Sequence, residues 1–519
     1  MQKSSFLITT TLIWLALFHS PLHARAVCEA EAFPPLPDVT ITSVSPASQP
    51  TAHCKITGVI GPEIHFELML PEKWNGKFVM GGGGGFVGSV MNTSLSFGSL
   101  QAGYATVGTD TGHQGHPLDA SWAHNNLERL VNFGHQAVHR TVVTAKALTK
   151  AHYQNDITRS YFTGCSRGGG QGFMAAQRYP EDFDGIVAGA PAFNWAPGLA
   201  ALASQINRAM YPDPNNLQQA VIGPREQELI ESSYLAMCDA RDGIKDGILN
   251  DPRQCKFDVA TLLCQDEKTD TCLSKEQLAA VKVIYDGPKD SKGNPLFYGY
   301  PFGGENSLGG WPRWLTGGLR YQEDLSAFQG GVGAGGFAAP VAPSAFYGFG
   351  NGIMKYFVYN DPDWTYQNYD FDRLIKDSER VAETLNATNP DLSSFREHGG
   401  KLIIYTGWSD AAAPGPAIAG YYDDVLELDK TAADDVRLFM MPGVEHCFGG
   451  PGPSFVNFLT EIDQWLDTGK APEQVTAYWL DETMQPNGSR PVCSYPKIAR
   501  YDGKGDTRNA ASFSCVNPR

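Results

Sequence analysis

The chain has 519 residues and a formal net charge of −16, from 40 Lys and Arg against 56 Asp and Glu. That length exceeds one ordinary core and predicts a large domain with a substantial insertion, or two domains. The acidic balance, with no Lys/Arg cluster anywhere, speaks against a nucleic-acid partner, and there is no internal repeat or heptad seam.

Residues 1–26 predict a cleaved secretory signal. Lys3 lies in a short n-region, Leu7, Ile8, Leu12, Ile13, Trp14, Leu15 and Leu17 form an apolar stretch, and Ala24-Arg25-Ala26 offers a cleavage site. No other segment approaches the about 20 uninterrupted apolar residues of a membrane span, so a soluble secreted or periplasmic product with no membrane partner is expected. All ten cysteines follow that segment, in a setting where disulfides persist. Their number alone does not fix connectivity. Local spacing pairs Cys28 with Cys54, Cys238 with Cys255, Cys264 with Cys272 and Cys493 with Cys515, leaving Cys165 and Cys447 for each other. No C-x-x-C pair or Cys/His cluster has zinc spacing.

From about residue 55 to 190, strand patterns alternate with helix patterns, which predicts a mainly parallel sheet covered on both faces. The strands are Ile64-Met69, Lys77-Met80, Ala105-Gly108, Ser160-Thr163 and Gly185-Ala188. Phe133 to Leu148 reads as a helix, with Val138, Val142, Val143, Ala145 and Leu148 on one side. His135 and His139 sit on it, but Gln136 stands where a zinc protease helix carries its Glu, so both are packing or surface histidines. Gly81 to Gly85 follow the second of these strands. No Lys-Ser/Thr or G-x-G-x-x-G spacing supports a phosphate site; a flexible turn or an oxyanion loop, whose glycine N–H groups approach a developing O⁻, fits better.

Gly164-Cys165-Ser166-Arg167-Gly168 is a G-x-S-x-G pentapeptide between a strand pattern and a helix pattern. That context makes Ser166 a nucleophile on a strained strand-to-helix turn, with the N–H of Arg167 as an oxyanion donor. After Ala190 the alternation stops for some two hundred residues rich in Gly, Pro and aromatics, then resumes at Lys401-Tyr405 and Val436-Met440. The expected organisation is an α/β core of residues 27–192 and 390–519, with 193–389 inserted as a lid over the catalytic face. Inside the insertion, Asp239, Asp242 and Asp246 share a Gly-containing loop. Taken by itself, that loop is either a solvated acidic turn or a site for a hard cation such as Ca²⁺, outside the EF-hand register. The resumed strands deliver Asp410, behind Thr406-Gly407-Trp408-Ser409, and His446, behind Met441-Pro442-Gly443. The order Ser, Asp, His at strand ends is that of an α/β-hydrolase, with His446 as base and Asp410 orienting it. Each of Ser166 and His446 has a cysteine as neighbour, so a Cys165–Cys447 bond clamps the two together.

These residues resemble the tannase/feruloyl esterase family of secreted α/β-hydrolases, whose mark is a Cys-Ser and a His-Cys dipeptide joined by a disulfide. The likeness runs from about Cys28 to the C-terminus and includes Gly185–Ala192, Tyr405–Asp410 and the Cys493–Cys515 tail. It implies a structural Ca²⁺ held by Asp239, Asp242 and Asp246 with the carbonyls of Ile244 and Ile248, and Gly85 as the oxyanion donor beside Arg167. No organic cofactor is implied. The implied activity is a serine esterase for small esters of phenolic acids, of the feruloyl type, with tannase or terephthalate-monoester hydrolase as alternatives. A peptidase or a non-catalytic binding protein on the same fold is less favoured. In the insertion, Trp311, Trp314, Phe328, Phe337, Phe346, Tyr347 and Phe349 offer flat surface for an aromatic ring, or simply the insertion's own core. The family's terephthalate-monoester hydrolase uses a lid arginine; the comparable stretch 329–351 here has none, although Arg313 and Arg320 lie nearby.

Overall fold

The computed structural model describes residues 27–92, 95–266, 269–317 and 343–518. Residues 1–26, where a signal is expected, Arg320, Phe328, Phe337 and residues 329–342 lie outside the described residues. A nine-stranded sheet forms the frame, in the order β1-β2-β3-β5-β4-β6-β7-β8-β9. The strands are β1 Val39–Ala47, β2 His53–Ile60, β3 Ile64–Pro71, β4 Lys77–Gly81, β5 Ala105–Thr109, β6 Arg159–Cys165, β7 Gly185–Gly189, β8 Lys401–Gly407 and β9 Val436–Met441. β5, β4 and β6 to β9 pair in parallel, whereas β1, β2, β3 and β5 pair antiparallel. The α/β-hydrolase architecture is therefore as expected, and the antiparallel wing is an addition to it.

Strand alternation sends successive side chains to opposite faces. Phe78, Met80, Phe162, Ile186, Ala188, Leu402 and Ile404 belong to one core cluster, covered by helices α1 Ala137–Tyr153, α2 Arg167–Arg178 and α3 Gly415–Leu428. Val79, Tyr161, Val187, Ile403, Tyr405 and Phe439 form the other, under α4 Phe458–Thr468. The helix expected over Phe133–Leu148 begins with a π turn, Asn132–Gln136, and runs on to Tyr153 before Gln154 ends it in a left-handed conformation. Two hairpins close the chain, β10 Gln474–Leu480 with β11 Pro486–Cys493 and β12 Ile498–Tyr501 with β13 Phe513–Val516.

The described residues between β7 and β8 add no strand to this sheet. Many of them pack on themselves: Leu202, Ile206, Ile230, Val281, Trp311 and Phe346 share a cluster that also takes in Ala411 and Ala412 from the end of β8. All five expected disulfides are present, Cys28–Cys54, Cys165–Cys447, Cys238–Cys255, Cys264–Cys272 and Cys493–Cys515, and no described cysteine is free. No helix among the described residues is long and apolar enough to cross a membrane.

Candidate active site

The buried strand β6 ends at Cys165 and α2 begins at Arg167, so the chain reverses at Ser166, which takes φ 63° and ψ −120°. A non-glycine residue there is strained, and the surroundings hold it. Ser166 N–H donates to the Gly189 carbonyl at 2.9 Å, and its carbonyl accepts from Gly170 at 3.1 Å and Ala192 at 2.9 Å. Gly164 faces the next turn so closely that a Cβ would stand 2.7 Å from the Gly168 backbone. The outer glycines of the pentapeptide are thus steric requirements of the elbow.

The strand ends of β8 and β9 bring Asp410 and His446 together. His446 Nδ1 donates to Asp410, 2.8 Å from Oδ2 and 3.0 Å from Oδ1. Asp410 is 1% exposed, and its Oδ1 also accepts the N–H groups of Ala412 at 2.7 Å and Ala413 at 2.9 Å. Such fixed donors hold the carboxylate and set the imidazole tautomer. Nε2 of His446 is buried without a hydrogen-bond partner, so no bond to the Ser166 hydroxyl is formed. In hydrolases without substrate such contacts are commonly long and tighten on binding. The Cys165–Cys447 bond, with Cα atoms 5.9 Å apart, joins the neighbours of Ser166 and His446 directly.

Hydrogen bonds divide the five glycines after β4. Gly82 N–H is taken by the Thr163 carbonyl at 2.8 Å and Gly83 N–H by Gln171 Oε1 at 3.0 Å. Gly84 and Gly85 N–H have no acceptor among the described residues. Gly85 adopts φ +56°, and a Cβ on it would lie 2.5 Å from the Pro117 carbonyl oxygen, so only glycine fits. His113, with no role assigned from sequence, donates from Nε2 to the Phe86 carbonyl at 3.0 Å and stacks on Trp122 at 3.8 Å. It pins the far end of the glycine loop, and burial holds its pKa down at about 4. His135 and His139 instead bond Tyr179 and Asp182, respectively, on the helix surface.

The insertion reaches this site. Trp314 meets the His446 ring edge-to-face at 4.7 Å and stacks with Phe349 at 6.2 Å, which in turn touches Phe86 at 5.1 Å. Trp311, Phe346 and Tyr347 share the insertion's core cluster with Trp314 and Phe349. Arg313 lies over Trp314 at 5.5 Å. Glu445, next to His446, accepts a hydrogen bond from Ser307. Further back, Glu305 is fully buried, accepting from Tyr285 at 2.7 Å and Gly303 N–H at 2.8 Å. Burial, with the charge of Glu231 adding to it, pushes its carboxyl from 4.5 up to about 7, against the lowering by those two donors. A raised folded-state pKa favours the fold while the group is protonated, and that contribution is lost as pH rises from about 4.5 through 7. Its size is on the order of 3 kcal/mol. Glu305→Gln is therefore expected to raise Tm by about 3 °C at pH 8 and by little at pH 5, as read by paired thermal melts.

On the acidic loop, Asp239 Oδ1 accepts the N–H groups of Asp246 at 3.1 Å and Gly247 at 2.9 Å. Asp242 accepts from Ile244 at 3.2 Å and Asn250 at 3.0 Å, and Asp246 from Ile248 at 3.2 Å and the buried Arg490 at 2.5 Å. The donor type, three carboxylates beside two isoleucine carbonyls, suits a hard cation. Burial pushes the Asp242 carboxyl up to about 6, a charge that a cation would compensate. The carboxylates nevertheless face main-chain N–H groups, and no three acidic, His or Cys side chains converge on a metal position among the described residues.

A sequence model of the family described as tannase and feruloyl esterase matches residues 48–516. An uncharacterised esterase of Xanthomonas campestris is 33% identical, over 98% of this chain and 90% of its own length. The mono(2-hydroxyethyl) terephthalate hydrolase of Piscinibacter sakaiensis is 31% identical, over 96% and 93%. Among solved structures, feruloyl esterase B from Aspergillus oryzae superposes with a TM-score of 0.80 at 26% identity, covering 95% of this chain and 100% of that one. With a match over nearly the whole length and a nucleophile elbow, a His–Asp pair and a glycine loop gathered at one end of the sheet, this chain belongs to the tannase and feruloyl esterase family and is a carboxylic ester hydrolase.

Proposed function

We propose that the protein hydrolyses small esters of aromatic carboxylic acids, of the feruloyl type, through an acyl-enzyme on Ser166. One observation carries this reading: an imidazole fixed by Asp410 at Nδ1, unspent at Nε2 and tied by the Cys447–Cys165 bond to the residue before Ser166. In the first half-reaction Ser166 Oγ attacks the ester carbonyl carbon while His446 Nε2 takes its proton. The oxyanion is held by the N–H groups of Arg167 and Gly85, and its collapse expels the alcohol, which takes the proton from His446. A water molecule repeats the sequence on the acyl-enzyme and releases the acid. The insertion acts as the lid, with Trp314 and Phe349 offering ring faces to the acyl group. Feruloyl esterase B has the same fold, which supports the feruloyl type. The terephthalate relative makes a monoester the alternative to beat. Initial rates on methyl ferulate, methyl gallate and a terephthalate monoester decide between them, and turnover of none, with Ser166 still labelled by a fluorophosphonate, overturns the aromatic-acid reading.

The same reading includes export through residues 1–26 and a structural Ca²⁺ at Asp239, Asp242 and Asp246. Bound there, the ion supplies countercharge to the three carboxylates and takes no part in the ester chemistry. EGTA is expected to lower Tm by about 3 °C, with recovery on Ca²⁺ but not Mg²⁺. An unchanged melt after exhaustive chelation rejects the ion.

A further inference from the structure

We propose that the Arg167 side chain is an electrostatic positioning residue for ester cleavage, an unneutralised cation set behind the elbow to favour the anion formed on the substrate carbonyl oxygen. This rests on Ser166 being the nucleophile. Arg167 follows Ser166 as the first residue of α2 and is 1% exposed. Its Nη2 donates to the carbonyls of Phe133 and, at 2.8 Å, of Gly134, in the π turn ahead of α1. The guanidinium lies 4.3 Å from the Phe133 ring and 5.4 Å from that of Trp195. Nε and Nη1 are buried with no partner. No carboxylate among the described residues is paired with it, and burial holds its pKa down at about 9, which still leaves a cation at neutral pH. Arg490 is equally buried but is paired with Asp246.

A mere strut does not need this charge. Two neutral carbonyls are satisfied by any neutral donor, whereas an unpaired buried cation carries a large desolvation cost that ring stacking offsets only in part. With no anion beside it, its field extends through a low-dielectric interior toward Ser166, in the same sense as the positive N-terminus of α2. Direction matters too. The side chain points toward the helix that covers β3 and β5, while Asp410 and His446 stand at β8 and β9 on the other side of β6. The transition state is an oxyanion next to an imidazolium, so Arg167 lies behind its negative end and Asp410 behind its positive end. Such a field lowers the barrier without tightening the uncharged substrate, and appears in kcat rather than KM.

The test compares Arg167→Gln, which keeps an N–H donor but no charge, with Arg167→Lys, which keeps the charge. Each is assayed on the ester that wild type turns over best, and against phenylboronic acid, which forms an anionic tetrahedral adduct on an active serine. Arg167→Gln is expected to lose about 10-fold in kcat, an order of magnitude below the loss of a direct oxyanion donor. Its KM should stay within about 2-fold, with phenylboronate affinity falling in parallel, and Arg167→Lys should recover most of both. If Arg167→Gln is recovered unfolded, Arg167→Met takes its place. Equal losses in the neutral and Lys variants, a loss confined to KM, or wild-type values throughout overturns the proposal. A wild type without serine-dependent esterase activity fails the functional reading instead, so the two failures are distinguishable.

Discussion

Replacing Ser166 with alanine is expected to lower kcat by at least ~10⁴-fold, because the nucleophile has no substitute and acts as one unit with its base. The fold should not register the change. Ser166 makes no side-chain capping bond to α2, and its backbone conformation is held by Gly189, Gly170 and Ala192 through main-chain groups that alanine keeps. Removing a hydroxyl that bonds nothing is worth within about 0.5 kcal/mol, less than 1 °C for a chain of this size. The paired measurement is an initial-rate assay at saturating ester and a thermal melt. Retained turnover removes Ser166 from the chemistry, whereas lost turnover with a collapsed melt leaves its role to be read from labelling of wild type by a fluorophosphonate.

The parts of the fold that were legible in the sequence were those governed by local pattern. β6 to β9 are runs of branched and aromatic residues ended by glycine or proline, so their limits fall within about two residues of expectation. β1 and β2 were not foreseen. β1 carries Pro46 and alternates polar residues at an exposed edge, so its sequence lacks the apolar run that marks an interior strand. The start of α1 was misplaced for a different reason. A π turn has the same apolar spacing as the helix it interrupts, and only its hydrogen bonds reveal it.

The site divides in the same way. Ser166, Asp410 and His446 stand in motifs whose spacing is their signature, and the cysteines beside two of them named their own partner. The register of Gly81 to Gly85 could not be read, because five identical residues differ only in what answers their N–H groups. Those answers come from Thr163 and Gln171, on β6 and α2. Trp311 and Trp314 fall in one helical turn, yet one packs on Tyr285 and the other on His446. Most important, a charge without a partner is a property of the folded state: nothing about Arg167 as a letter separates it from Arg490.

Removal of the Cys165–Cys447 bond, as a Cys165→Ala/Cys447→Ala double variant, is expected to reduce kcat/KM by about 100-fold, the penalty for misplacing reacting groups by about 1 Å. Two backbone positions explain why. Ser166 at φ 63° and Cys447 at φ 70° are both left-handed non-glycine residues, and each favours relaxation by roughly 1–2 kcal/mol. The bond ties one strained turn to the other, so relaxation of either would move Ser166 and His446 apart. It also closes a span of 282 residues, worth about 5 kcal/mol on chain entropy and about 5 °C in Tm. Stability alone would therefore lower activity near the melt, and a control must separate the two effects. Cys493 and Cys515 are joined between the terminal hairpins across 22 residues, worth about 3 kcal/mol by the same relation. The Cys493→Ala/Cys515→Ala variant should melt earlier yet keep wild-type kcat/KM at 25 °C. If both double variants lose activity in proportion to their melts, the bond beside the triad is a staple like the others; if only Cys165→Ala/Cys447→Ala loses it well below its melt, the bond sets the distance between nucleophile and base.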